Sequence, residues 1–450
     1  MSKQKVPSKQ GRTPSLQDQK MLRRAAAGSF IGNFVEWFDY AAYGYLATVI
    51  ASVFFPSEDK TTALMSTFAV FAISFFIRPL GGIVWGHIGD KVGRREALSL
   101  SILIMSGSTF AIAFLPGYDS WGIWAPVALL LVRVVQGFSA SGEYAGASAF
   151  IAEYAPANKR GFYTSLVPAS TAAGLLFGSL LIAGLHSWLT TEQLHGWGWR
   201  LPFLLAAPFG LVGRYIRNSL EDTPAFRALE ASAVNAHEAA PIRQLFGQHR
   251  RAMLVSLGVA CLNAVGFYVL LSYMPTYLST EHGLSESKSF LAATISLLTY
   301  IGFIFMVGSF SDRIGRKAML MLASVLFIGA SVPLFGLIGS ADYATLVLVQ
   351  IAFGALLAMN DGTLACFLAE LFPTRVRYSG FAFSFNLANT LFGGTAPFIC
   401  TWLIKQTGNS LAPAWYLVAA AAVALVALFF ARERAGMAFD RASGKAFDPA

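Results

Sequence analysis

Charge is scarce in this chain. Charged residues make up 13% of 450 and hydrophobic residues 55%, where soluble domains carry about 25% charged residues. Most of its surface must therefore face something other than water. Cysteine is scarcer still: Cys261, Cys366 and Cys400 all lie in apolar runs, with neither CxxC spacing nor an even count. That excludes a disulfide framework and a cysteine-based zinc site. The six histidines are scattered through loops or near the ends of apolar runs, with no metal-ligand spacing. No phosphate loop of the nucleotide-binding type occurs, which argues against an ATP-driven pump. No nucleophile–base constellation is legible, so the chain reads as a non-enzyme that needs no cofactor. A cleavable signal is missing too. Residues 1–22 are polar and basic, and the first apolar run is long and carries Asn33, Glu36 and Asp39.

What is abundant is apolar sequence in lengths near the roughly 20 residues that a bilayer requires. Twelve such runs lie near 27–51, 63–87, 96–115, 125–151, 162–188, 200–217, 252–278, 289–310, 318–338, 343–368, 378–404 and 413–431. The expected fold is an all-α membrane protein of twelve transmembrane helices in two six-helix bundles. Its parts are a cytoplasmic arm (1–26), a first bundle (27–217), a cytoplasmic linker (218–251), a second bundle (252–431) and a cytoplasmic tail (432–450). With the N-terminus inside, 27 of the 33 Lys and Arg fall in cytoplasmic segments and 4 outside; Arg78 and Arg133 are within spans. That imbalance fixes the orientation, with both termini cytoplasmic. The net charge of +9 is thereby spread over short loops, which removes nucleic acid as a partner.

The two bundles are echoes of each other. Gly86 to Leu98 reads GHIGDKVGRREAL, and 222 residues later Gly308 to Leu320 reads GSFSDRIGRKAML. Asp90 and Asp312 are placed to cap a helix start, and Gly93 and Gly315 permit a tight turn. A second echo, Glu153-x-x-Pro156-x-x-x-Arg160 and Glu370-x-x-Pro373-x-x-x-Arg377, is offset by 217. At these residues the sequence resembles the major facilitator superfamily, whose two bundles flank a cavity opening alternately to either side. Finer matches are Gly32-Asn33-Phe34-Val35-Glu36-Trp37-Phe38-Asp39, Ile77-Arg78-Pro79-Leu80-Gly81-Gly82 and Gln136 through Tyr144. They look like the metabolite:proton symporters. Ser219 through Phe226 and Leu271 through Leu278 look most like the proline/betaine carriers of that group. The resemblance implies a latch on the cytoplasmic side, made by Asp90 and Arg94 with Glu153, and by Asp312 and Arg316 with Glu370. Arg160 and Arg377 belong to the same gating set. Osmosensing carriers of this kind add a coiled-coil tail; no heptads follow the last span here, so osmotic activation is not expected.

Ionisable residues inside spans are costly and mark function. They are Glu36, Asp39, Arg78, Arg133, Glu143 and Asp361. Glu36 and Asp39, at i and i+3, share a helical face and are the expected proton carriers, with Arg133 close by. Arg133, Glu143, Trp37, Phe38 and Tyr40 form the expected substrate set. Arg78 reads equally as a structural anchor, and Asp361 as a local cap or pair. With one clear cationic anchor and several aromatic faces, a zwitterion is favoured: an imported solute such as proline or glycine betaine, carried with protons across a bacterial inner membrane by a monomer. An organic-acid symporter of the α-ketoglutarate, citrate or shikimate kind is the alternative, and a non-transporting membrane sensor a more remote one.

Overall fold

The computed structural model describes every residue except 1–15, 56–65, 68, 71–72, 228–240, 340–341 and 435–450. Most of the expected arm, the middle of the linker, the start of the second span and most of the tail therefore lie outside the described residues. Among those described, the regular structure is helical, with no strand. The first half contains α1 (Leu16–Tyr45, continued as Ala47–Phe54), α2 (continuous over Arg78–Lys91) and α3 (Arg94–Ile112). It is completed by α4 (Trp124–Tyr154), α5 (Ala157–Trp188) and α6 (Arg200–Asn218). The second half contains α7 (Arg250–His282), α8 (Glu286–Ile314), α9 (Arg316–Ile338), α10 (Tyr343–Leu371), α11 (Thr374–Thr407) and α12 (Ala412–Phe429). Eight of these, α4, α5 and α7–α12, are long and apolar enough by themselves to cross a membrane. The other four are broken, partly described or carry ionisable residues.

Two local differences from the sequence reading have packing causes. The helix α1 is already formed at Leu16, inside the stretch expected to be a polar arm, because Ala25 is buried with Leu98, Phe150 and Leu220. The linker contains a short helix, Pro241–Gln248, whose Leu245 is buried in the seam beside α11.

Within the first half, α1 packs on α5. Asn33 Nδ2 donates to the Val167 carbonyl at 2.9 Å, to Ser170 Oγ at 2.9 Å and to Thr171 Oγ1 at 2.7 Å. The halves meet along two crossings, α2 with α11 and α5 with α8. The first glycine of each repeated loop sits at a crossing. A Cβ on Gly86 would stand 2.4 Å from Ser379 Cα, and one on Gly308 would stand 2.7 Å from the Gly161 carbonyl. Only a residue without a side chain lets these backbones approach so closely. Both α7 and α11 contain a π-helical turn, at Tyr268–Tyr273 and Asn389–Gly393, where they face α1 and α2. Such turns re-aim side chains and recur at functional sites.

Candidate functional site

Midway along the bundle lie two buried ion pairs, both in the first half. Glu36 on α1 pairs with Arg78 on α2, and Asp39 on α1 pairs with Arg133 on α4 at 3.0 Å. Glu36, Asp39, Tyr40 and Tyr43 fall on one face of α1 at 100° per residue, which aims all four at these cations. The ring of Tyr40 lies between them, 5.1 Å from the Arg78 guanidinium and 5.4 Å from that of Arg133. Tyr43 covers Arg133 at 4.2 Å, and Phe75 covers Arg78 at 5.1 Å. Gln136 extends the second pair, accepting from Arg133 and donating to Thr109 Oγ1 at 2.6 Å. Each acid thus has its own cation. Arg78 is not a bystander at a helix end.

Rings from the second half close over this centre. Trp37 stands 4.9 Å from Phe267 and 6.5 Å from Tyr268, and Phe75 meets Tyr268 at 5.9 Å. Thr390 donates to the Phe75 carbonyl at 2.8 Å across the seam. Polar atoms buried here without a hydrogen-bond partner among the described residues include Glu36 Oε2, Trp37 Nε1 and the Tyr268 hydroxyl. Buried polar atoms are rarely left so. A small polar molecule held between the halves would satisfy them.

Two members of the expected substrate set lie elsewhere. Phe38 projects from the opposite face of α1 and packs against Phe177 and Phe209, each at 5.6 Å, so it belongs to the interior of the first half. Glu143 is held by Arg217, with contacts of 2.6 and 3.1 Å, and also accepts from Ser101. Its oxygens are saturated within the first half and do not approach Arg133. The partner Arg217, on the last turn of α6, reads in the sequence as one more loop charge. Nothing in spacing alone joins it to a residue 74 positions earlier.

At the face carrying the basic loops, the two echoed motifs form a pair of clusters. Asp90 does not cap its own neighbour α3. It accepts from the backbone N–H groups of Tyr378 and Ser379 at 3.2 and 2.8 Å and from Ser379 Oγ at 2.7 Å, at the start of α11 in the other half. Asp312 does the same at the start of α5, accepting from Gly161 and Phe162 at 2.8 and 3.0 Å. Both carboxylates therefore sit where a helix N-terminus favours negative charge. The arginines cross as well: Arg160 of α5 pairs with Glu370 of α10 at 2.9 Å, and Arg377 of α11 pairs with Glu153 of α4. Arg94 joins Asp90 at 3.0 Å and Glu153 at 3.4 Å, while Arg316 joins Asp312 at 2.7 Å and Glu370 at 3.5 Å. All eight residues of the expected gating set are thus brought together, and the halves are tied shut on this face.

The acids that cap α3 and α9 come from farther along the chain. Asp222, in the linker, accepts from the backbone N–H groups of Arg94 and Arg95 at 3.2 and 3.4 Å. Glu433, past α12, accepts from that of Lys317 at 2.7 Å. Burial lifts the Asp222 carboxyl above its usual range, against the pull of the Thr223 N–H and the Arg94 charge. The two glycines that open α3 and α9 have φ of 134° and 100°, the conformation that only glycine adopts without strain.

Comparison with known proteins agrees with this arrangement. The profile of the Major Facilitator Superfamily matches residues 29–294, and that of the Sugar (and other) transporter family matches 228–444. The chain belongs to the major facilitator superfamily. It is 39% identical to the glycine betaine/proline/ectoine/pipecolic acid transporter OusA of Dickeya dadantii, over 96% of this chain and 87% of that protein. It is 36% identical to the proline/betaine transporter of Escherichia coli (strain K12), with the same coverage. The proton:xylose symporter XylE has the same fold, with a TM-score of 0.79 over 94% of this chain and 98% of that one, at 17% identity. As a member of this superfamily the chain is a multi-pass membrane transporter for small molecules and not an enzyme. The twelve-helix, two-bundle architecture expected from the apolar runs is the one this family adopts.

Proposed function

We propose that this protein imports a zwitterionic solute of the proline or glycine betaine type, together with protons, by alternating access. The observation that carries the reading is the ring cluster contributed by both halves around the Glu36–Arg78 pair: Trp37, Tyr40 and Phe75 from one, Phe267 and Tyr268 from the other. A quaternary ammonium has no N–H to donate and is held by aromatic faces, each worth about 0.5–2 kcal/mol. A solute carboxylate would accept from Trp37 Nε1 and the Tyr268 hydroxyl, next to the Arg78 charge. Substrate contact then falls to Trp37, Tyr40 and Arg78, with Phe38 and Glu143 as supports inside the first half. The two transporters to which it is 39% and 36% identical, named for betaine and proline, support the same solute class.

Protons are carried by Glu36 and Asp39. A solute carboxylate that draws on Arg78 weakens its hold on Glu36, and Arg133 acts in the same way on Asp39. The basic face is cytoplasmic, by the distribution of Lys and Arg over the loops, and the membrane is the bacterial inner membrane. The two four-residue clusters on that face act as the gate, and while they are latched the substrate site is approached from the opposite side. The linker 218–251 joins bundles 27–217 and 252–431, and one copy of the chain suffices.

The test is uptake into proteoliposomes. Labelled glycine betaine and proline should accumulate under an inward proton gradient and compete with each other. Glu36→Gln and Asp39→Asn should abolish accumulation and leave exchange partly intact. Uptake of α-ketoglutarate or citrate, uncontested by betaine or proline, would overturn the solute class. Accumulation by both single variants would overturn the proton assignment.

A further inference from the structure

One more buried acid in the membrane region has no part in the ion pairs of Glu36, Asp39 and Glu143. Asp361 lies on α10, ten residues from its end at Leu371, about 15 Å from the basic face. Its side chain is buried, and the groups bonded to it are neutral. Asn263 Nδ2 and Asn360 Nδ2 donate to Oδ1 at 2.8 and 2.9 Å, and the Tyr300 hydroxyl donates to Oδ2 at 2.8 Å. Among the described residues no Lys, Arg or His forms an ion pair with it, and no charged side chain on the surrounding helices acts on it electrostatically. The titratable groups near it are Tyr300 of α8 and Tyr144 of α4 in the other half. A helix-end cap is ruled out by its position, and so is a salt bridge.

Tyr144 joins this acid to the site already described. It lies within electrostatic reach of both Asp361 and Glu36, and stacks on Phe385 of α11 at 4.4 Å. Its hydroxyl is buried with no hydrogen-bond partner among the described residues. A hydroxyl can both donate and accept, but here it bonds neither carboxyl. Because α4 and α11 belong to different halves, a rocking of the halves would change the surroundings of this hydroxyl. Burial in hydrocarbon makes the ionised carboxylate costly, and its three neutral donors offset that cost only in part.

We propose that Asp361 is a further proton-binding acid of this transporter, protonated while the basic face is latched and deprotonated when the halves part there. The O–H bond of the carboxyl breaks, the proton passes to water entering from the basic face, and the remaining carboxylate keeps the Asn263, Asn360 and Tyr300 donors. This rests on the proton-coupled reading above and adds an exit station to it. The first half receives the proton, and the second half, nearer the basic face, releases it.

The experiment compares wild type with Asp361→Asn and Asp361→Glu in proteoliposomes, using glycine betaine and proline as probes. With one net charge per solute, a potential of 100 mV supports accumulation of about fifty-fold in wild type. Asp361→Asn should hold solute near its external concentration while keeping about a third or more of the counterflow rate. Asp361→Glu should regain at least half of the accumulation. Infrared difference spectra between latched and open forms should show the carbonyl stretch of a protonated carboxyl lost on opening, absent in Asp361→Asn and displaced in Asp361→Glu. Full accumulation by Asp361→Asn, or an unchanged infrared band, overturns the inference. Loss of counterflow together with accumulation, in both variants, makes Asp361 a packing residue and also overturns it. If Asp361→Asn does not fold, the infrared band in wild type and Asp361→Glu decides alone. Failure of wild type to accumulate any solute with protons would instead overturn the coupling proposed for Glu36 and Asp39.

Discussion

The two halves share a backbone plan and differ in where they hold charge. On the basic face they match residue for residue: Asp90 with Asp312, Arg94 with Arg316, Glu153 with Glu370, Arg160 with Arg377. In the membrane interior the match ends. The 222-residue offset places Tyr300 where the first half has Arg78, and the 217-residue offset places Gln350 where it has Arg133. Glu143 and Tyr144 correspond by the same offset to Asn360 and Asp361. The first half thus has cation-paired acids, and the second a single acid among neutral donors. The gate proposed for the basic face requires symmetry, because each motif must seat its aspartate on a helix of the opposite half. The interior does not, since one polarised half facing one aromatic half is enough to hold and orient a dipolar solute.

The largest test of this contrast removes a cation from the polarised half. Arg133→Gln leaves Asp39 buried beside a neutral partner, and such a loss costs about 3–5 kcal/mol. Thermal unfolding in detergent should fall accordingly, and uptake should vanish. Adding Asp39→Asn should restore most of the stability and none of the accumulation. Gln350→Ala, at the corresponding place in the second half, should be far milder in both measurements. An equal loss there would erase the distinction between the halves.

The gate should respond alike on its two sides. Asp90→Asn weakens three bonds to the start of α11, and hydrogen bonds to charged groups are worth about 1.5–3 kcal/mol. A shift of about tenfold or more toward the form open on the basic face follows. It is read as faster alkylation of a cysteine introduced at Ala382, on α11 in the seam. Asp312→Asn should shift the same balance by a similar factor. Normal uptake with unchanged alkylation in either variant breaks the symmetry claimed for the gate.

Smaller effects sharpen the comparison at the turns. Gly93→Ala and Gly315→Ala each force a positive φ on alanine, costing roughly 1–2 kcal/mol. Gly93→Ala should cost more, because its Cβ would lie 2.1 Å from Asp222 Oδ2, against 2.6 Å from Glu433 Oε2 at Gly315. Smallest of all, Glu433→Gln and Asp222→Asn each remove one negative charge from a helix start, worth about 0.3–1 kcal/mol and readable as a small shift in Tm.

Much of this was legible before any coordinates. The apolar runs, the twin loops and the placement of Lys and Arg carry the architecture, because membrane crossing and duplication leave their marks in the order of residues. The resemblance also implied Asp90 and Arg94 with Glu153, and Asp312 and Arg316 with Glu370, but not the crossings of Arg160 to Glu370 and of Arg377 to Glu153. What the sequence could not carry is helix rotation. Glu36 reads as a neighbour of Arg133, yet pairs with Arg78, because α2 turns Arg78 toward α1. Phe38 reads as part of the ring cluster, yet α1 turns it into the first half. Glu143 reads as a substrate ligand until Arg217 reaches it from another helix. Tyr268, Asn389 and Thr390 carry no charge to draw attention, and the π turns that present them leave no periodic trace. Asp90 reads as a cap, which it is, for a helix 288 residues away.

The acid at residue 433 sets an order of assembly. The first turn of α9 is translated more than a hundred residues before the carboxylate that holds its backbone N–H. Through the synthesis of α10, α11 and α12 that turn has water or lipid headgroups as its partners. The first half waits as long for its own acid, since Asp222 follows Arg94 by 128 residues and emerges only after α6. Each bundle is therefore completed from its far end, the first before the second is made. A stall, cleavage or bulky fusion just after α12 would leave the second motif open in a chain whose twelve helices had all been made.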